Sequence, residues 1–190
     1  MKKLFNFIIA IFFFFNTAYA GNFNQLILEG MKIGENLTKY SDEATIKASN
    51  MPKYKNNKYS TAGFDVQGVS QNFDQLEISY ETSDKDYKIL DISGTKVTTD
   101  INDCISRRDN LLNTYGTLLN KVKINGPETN NHPADSSGKS KITDVLYIFG
   151  DGFLHASCID WSEEIGYIDH LNFQISEKKF MRWKQKNIKY

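Results

Sequence analysis

The sequence predicts an α+β domain: an antiparallel sheet, built as two three-stranded meanders, covered by one long helix and one C-terminal helix. Three observations carry this. Apolar and polar residues alternate over several short segments, residues 101–122 repeat their apolar residues at helical spacing, and the turns between alternating segments are short. Sheets of this kind usually bury one face and wet the other.

Residues 21–50 read as helical in pieces, with Ser41 as N-cap of a short helix. Residues 51–61 are a connector rich in Lys, Asn and Tyr. Strands are expected over residues 64–70, 75–82 and 87–95. The second of these puts Leu76, Ile78 and Tyr80 on one face. Asp100 then caps the long helix, with Asp103 at the capping-box position. Its stripe runs through Ile101, Cys104, Ile105, Arg108, Leu111, Leu112, Tyr115, Leu118, Leu119 and Val122, with Lys121 among the polar residues opposite. A polar loop spans residues 125–141. Strands follow over residues 145–149 and 153–161, joined by the hairpin signal Gly150-Asp151-Gly152, then over residues 171–175. Ser176 caps a last helix carrying Phe180, Met181, Trp183 and Ile188. Both halves repeat strand-strand-strand-helix, without residue-level similarity.

The first residues predict an address. Lys2 and Lys3 precede an apolar run, residues 4–15, and Ala18-Tyr19-Ala20 is a small-x-small cleavage signal. Residues 1–20 therefore read as a signal peptide cut after Ala20, and residues 21–190 as one soluble periplasmic or secreted domain. The apolar run is shorter than the roughly 20 residues that span a bilayer. The 190 residues hold 23 basic and 23 acidic side chains, and this balance argues against nucleic acid as a partner.

Cys104 and Cys158 are the only cysteines, and two cysteines in an exported chain pair. Such a bridge staples the long helix to a strand. A catalytic thiol would need an activating base and an open position. The bridge also bears on Arg108, whose buried charge needs a partner. If helix and strand run in the same sense, Arg108 lies one turn beyond Cys104 and above Asp160, and the expected structural ion pair is Arg108–Asp160. In the opposite sense it lies above Ala156 and must find Glu77, Asp91 or solvent.

Other candidates are weaker. Residues 136–140, SSGKS, lack the first glycine of a phosphate loop, because Pro133 stands there. His132, Asp135 and Ser136 in the polar loop are the residue types of a hydrolase, without a nucleophile elbow. His132, His155 and His170 have no metal-ligand spacing, so neither metal nor cofactor is expected. Residues 176–190 interleave basic residues with Trp183 and Tyr190, a composition suited to glycan or membrane-surface contact and equally to packing on a sheet.

The stretches GMKIGENL, DINDCISRRDNLL and CIDWS resemble small secreted proteins of marine bacteria with AT-rich genomes, a family with no activity to carry over. LEGMKIGENLTKY, residues 28–40, resembles the opening helix segment of SmpA/OmlA-type envelope proteins, which implies a role beside outer-membrane assembly. The resulting expectation is a non-catalytic exported protein that binds a protein or an envelope component. The alternatives are a periplasmic hydrolase using the 125–141 loop and a small-ligand or glycan binder.

Overall fold

Alternation at period two builds more of this chain than the sequence suggests. The structure, a computed structural model, describes residues 22–120 and 122–187. The expected signal peptide with its cleavage site, and Lys121, Ile188 and Tyr190, lie outside the described residues. A short helix α1 (Glu43–Ala48) precedes β1 (Asn50–Met51), β2 (Tyr59–Asp65), β3 (Gln75–Glu81) and β4 (Asp91–Val97). Helix α2 (Ile101–Thr114) leads to β5 (Lys123–Asn131), β6 (Lys141–Ile148), β7 (Gly152–Asp160), β8 (His170–Glu177) and α3 (Lys178–Asn187).

All eight strands join one antiparallel sheet in the order β1-β2-β3-β4-β8-β7-β6-β5. Two separate three-stranded meanders under two helices are therefore not the architecture. Each half supplies four strands, and their last strands meet: β4 pairs with β8 from Asp91↔Ser176 to Val97↔His170. Nor do the helices cover one face together. Helix α2 packs where Cys158, Leu171 and Phe173 point, and α3 packs on Tyr54 and Tyr59 across the opposite face. The strand order is thus the same in both halves, and the helices that follow them lie on opposite faces.

The first face is apolar. Leu76 and Ile78 of β3, Ile92 of β4, Phe173 and Ile175 of β8 and Leu154 of β7 form its floor. Phe23, Leu26, Leu28, Leu37, Ile46, Ile89, Leu112 and Leu119 close over it. Each fully buried Leu, Ile or Phe contributes about 1.5–3 kcal/mol. Phe73 lies flat where a Cβ on Gly94 of β4 would stand 2.5 Å from its ring, so this strand position has to be glycine.

Several local expectations change. Residues 28–40 form no α-helix: Leu28 bridges Met31, Asn36 bridges Lys88, and only a 3₁₀ turn at Leu37–Lys39 follows. Asp42, not Ser41, caps α1, accepting from Thr45 N at 2.9 Å. Asp100 caps α2 as expected, accepting from Asn102 N at 2.7 Å, but Asp103 pairs with Arg107 at 2.7 Å instead of closing a capping box. The helix ends at Thr114 because Gly116 takes φ +41° and a 3₁₀ turn follows, although Leu119 and Val122 stay buried beyond it. The expected 125–141 loop is strand up to Asn131, and only residues 132–140 remain a loop: β5 runs along β6 as a sheet edge, with a register shift between Asn125 and Glu128. Such an irregular edge resists pairing with a second chain.

Cys104 and Cys158 form the disulfide, with Cα atoms 5.8 Å apart. Tyr115, the C-cap just past α2, stacks on Phe173 with ring centroids 5.8 Å apart, and donates to Ile27 O at 2.7 Å. Phe173 pairs with Ala156 and Leu171 with Cys158, so α2 advances from the Cys158 level toward the Ala156 level. It runs opposite to β7 and away from Asp160. The expected Arg108–Asp160 pair is accordingly absent. Arg108 is 4% exposed and reaches sideways to β6, where Nη1 donates to Thr143 O at 3.3 Å. Its charge meets the adjacent Asp109, Nη2 to Oδ1 at 2.8 Å.

Two outcomes follow for stability. Reducing the bridge, which closes a sequence separation of 54, should cost up to about 4 kcal/mol in urea unfolding, and neither cysteine should alkylate before reduction. Arg108→Met should change stability by less than about 1 kcal/mol, because an apolar chain of similar length replaces a buried charge whose partner Asp109 is already half exposed. Arg108→Ala, which loses the packed stem, should cost about 2 kcal/mol in the same measurement.

Candidate functional site

The loop between β5 and β6 brings together part of what the sequence singled out there. His132 N donates to Ser140 O at 2.9 Å and closes the loop. Asp135 is buried inside it. Oδ1 accepts from Ser137 N at 2.8 Å, and Oδ2 accepts from Ser140 N at 2.8 Å and Ser140 Oγ at 2.7 Å. These hydrogen bonds, from Ser137 first and then Ser140, hold its carboxyl far below the usual carboxylate range. Ser140 Oγ also accepts from Ser162 N at 3.0 Å, which ties the loop to the connection after β7.

His132 lies with its ring 4.1 Å from that of Trp161, and its Nδ1 accepts from Ala134 N at 3.2 Å. Burial lowers its pKa, and the neighbouring His170 lowers it further against the pull of Asp135. Ser136 is exposed. A hydrolase would need Asp135 on His132 and His132 on a serine, whereas both oxygens of Asp135 are engaged by backbone and Ser140. The three residues thus build a turn, and the turn packs instead of hanging free.

A second set of residues was not singled out from the sequence. The face of the sheet opposite α2 is polar. Thr61, Ser79, Asp91 and Ser176 stand side by side across four strands, and all are buried. Thr61 and Ser79 hydroxyls lie 2.9 Å apart, and each lies 3.0 Å from Tyr54 Oη, whose own pKa burial raises. Gln174 Nε2 donates to Asp91 Oδ1 at 2.5 Å, and Lys184 Nζ stands 4.0 Å from Asp91 Oδ2. Helix α3 lies over this face on two aromatic anchors. Phe180 is buried, with its ring 5.2 Å from Tyr59, and Trp183 lies 4.6 Å from Tyr59 and 5.0 Å from Tyr54.

Helix α3 has a groove on each flank. On one side Lys58, Lys178, Lys179, Arg182 and Lys186 surround Tyr59 and Trp183 in an open groove of about 700 Å³, with Asp151 and Glu177 at one end. Trp183, the aromatic marked in the sequence, is therefore both packed and groove-lining. On the other side a groove of about 370 Å³ is lined by Asp144, Leu146, Phe153, His155, Gln174, Met181, Lys184 and Gln185. There His155 Nε2 lies 2.8 Å from Asp144 Oδ2. That hydrogen bond lowers the Asp144 pKa more than burial raises it.

The hairpin offered the signal for this pair. Counting outward from Ile148↔Phe153 places Leu146 opposite His155 and Asp144 opposite Ser157, so Asp144 is the diagonal neighbour of His155. Ser157 is buried and cannot present its hydroxyl to a substrate. Among the described residues, no three His, Cys, Asp or Glu side chains gather to hold a metal ion. No helix there is long and apolar enough to cross a membrane.

Comparison with protein-family models, curated proteins and solved structures returns no match.

The Asp135 turn has a testable acid signature. A carboxyl with a depressed pKa contributes stability above its unfolded value of about 3.9, and this is lost as pH falls through its folded value. Asp135→Ala should therefore lower the melting temperature at neutral pH and flatten its fall below about pH 4. Thermal melts of both proteins across the acid range check this.

Proposed function

We propose that the chain is an exported, non-catalytic binding protein that holds an acidic polysaccharide of the cell envelope along the basic flank of α3. The observation that carries this reading is the groove in which five cations surround Tyr59 and Trp183. The chain as a whole has equal numbers of acidic and basic residues, so this concentration is local. Lys178 and Lys179 start the helix, Arg182 and Lys186 follow at one-turn intervals, and Lys58 lines the groove from the turn before β2. Cations in a row at such spacing match the repeated charge of a polyanion.

Shape selects among polyanions. Trp183 is half-buried and lines the groove, where its ring suits the apolar face of a sugar, while Tyr59 beneath it is buried. A membrane binder would carry its aromatics on a protruding surface. The signal-peptide character of residues 1–20 and the Cys104–Cys158 disulfide support export, since such bridges persist in oxidising compartments. The turn built by His132, Asp135 and Ser136 is what speaks against a hydrolase.

Calorimetric titration with alginate, and with a neutral glucan as control, tests the proposal. Alginate should bind with an affinity that falls as salt rises, and the glucan should not bind. The double variant Arg182→Gln/Lys186→Gln should bind alginate roughly tenfold more weakly with an unchanged melt, as expected for two exposed ion pairs of up to about 1 kcal/mol each. Equal binding of the glucan, an unchanged double variant, or a preference for anionic vesicles over alginate would each overturn the reading.

A further inference from the structure

The second flank of α3 has the opposite chemistry, and we infer that it is a separate site for a small organic amine with an apolar body. The inference does not depend on the polysaccharide reading.

The geometry is set by side-chain rows. Asp144 stands opposite Ser157, Leu146 opposite His155, and Ile148 opposite Phe153. Asp144 and Phe153 are thus two rows apart, about 13 Å along the strands at roughly 3.3 Å per residue. One end of the groove holds a carboxylate and the other an aromatic ring. Leu146 and the thioether of Met181 line it as well. Such a space suits a ligand that is polar at one end and apolar at the other.

The hydrogen-bonding inventory selects the polar end. Asp144 is ionised at neutral pH, because the His155 hydrogen bond holds its carboxyl below the usual range. Facing an ionised carboxylate, His155 Nε2 is the donor of this hydrogen bond. Gln174 directs its Nε2 donor to Asp91 and retains Oε1 as an acceptor. Among the described residues, Asp144 Oδ1, His155 Nδ1 and Gln174 Oε1 have no partner, and Gln174 is 5% exposed. Asp144 Oδ1 and Gln174 Oε1 thus offer a ligand acceptors from β6 and β8, beside the second N–H of Gln174 Nε2. Lys184 also lines the groove, and its Nζ stands 4.0 Å from Asp91 Oδ2.

A primary ammonium supplies three donors and one positive charge, which matches acceptors beside a carboxylate. Its body would lie on Leu146, Phe153 and Met181, with the ring of Phe153 favourable to a cation and the sulfur of Met181 favourable to an aromatic group. A carboxylate or phosphate ligand would meet the like charge of Asp144 at this end, and a neutral alcohol would bring no charge to pair with it.

Three probes of one shape separate these cases: phenethylamine, phenethyl alcohol and phenylacetate, each titrated into the mature protein while the Met181 methyl and His155 ring resonances are followed. The amine should shift both resonances saturably, and the other two should not. Asp144→Asn should weaken the amine at least about tenfold, the usual loss when a charged acceptor becomes neutral. The Arg182→Gln/Lys186→Gln variant of the other groove should bind the amine unchanged. Equal shifts from the alcohol or the acid, or undiminished binding by Asp144→Asn, would overturn the inference. Should Asp144→Asn fail to fold, as read from its melt, Phe153→Ala decides: weakened amine binding upholds the site and unchanged binding overturns it.

Discussion

The ladder between β4 and β8 is the constraint on which the other parts depend. It pairs the last strand of the first half with the last strand of the second, residue for residue from Asp91↔Ser176 to Val97↔His170. Without it the chain would be two four-stranded sheets, each with an open edge where the centre of the molecule now lies. With it, Ile92 and Ile175 stand side by side on one face, and Asp91 and Ser176 on the other. The apolar floor under α2 and the polar floor under α3 both cross this seam. The disulfide acts across the same halves, holding the helix that follows β4 against β7.

The two faces solve different problems. On the apolar face, close packing is the rule, as Phe73 on Gly94 and Tyr115 on Phe173 demonstrate. On the polar face, buried hydroxyls, an amide and a carboxylate need hydrogen bonds, and the sheet supplies them laterally for Thr61, Ser79, Asp91 and Gln174, while the Ser176 hydroxyl has no partner among the described residues. Such a network fixes side chains in place without filling space, so grooves remain beside the covering helix. Helix α3 needs only Phe180 and Trp183 to sit there, and its other side chains are left to define the two flanks, one basic and one with acceptors.

Much of the fold was legible in the sequence, and the failures have physical causes. Helix α2, its Asp100 cap, the cysteine pairing and the Gly150–Gly152 hairpin were readable because each depends on local chemistry. The stripe through Leu118, Leu119 and Val122 misled because periodicity reports burial: those residues bury without continuing the helix past Gly116. Strand β5 carries no alternation, since both of its faces are largely exposed and only its backbone pairs with β6. Arg108 was rightly assigned to the buried stripe, but a stripe says nothing of how a helix crosses a sheet, and that crossing decides between Asp160 and Thr143. Thr61, Ser79 and Asp91 look like a wetted face in one dimension, and only α3 shows them to be covered. The Asp144–His155 pair lies in two strands and becomes visible only when the hairpin register is counted outward.

Synthesis order gives the central ladder a further meaning. Strand β4 leaves the ribosome roughly 80 residues ahead of β8, which at about 5–20 residues per second is an interval of several seconds. During that time its backbone donors and acceptors on the β8 side have no native partner, and they lie beside Ile92. An unpaired, partly apolar strand of this kind is the form in which chains associate wrongly. The nascent first half is therefore the most vulnerable state of this protein, and a chaperone that shields extended segments would protect it more than any change that strengthens the finished fold.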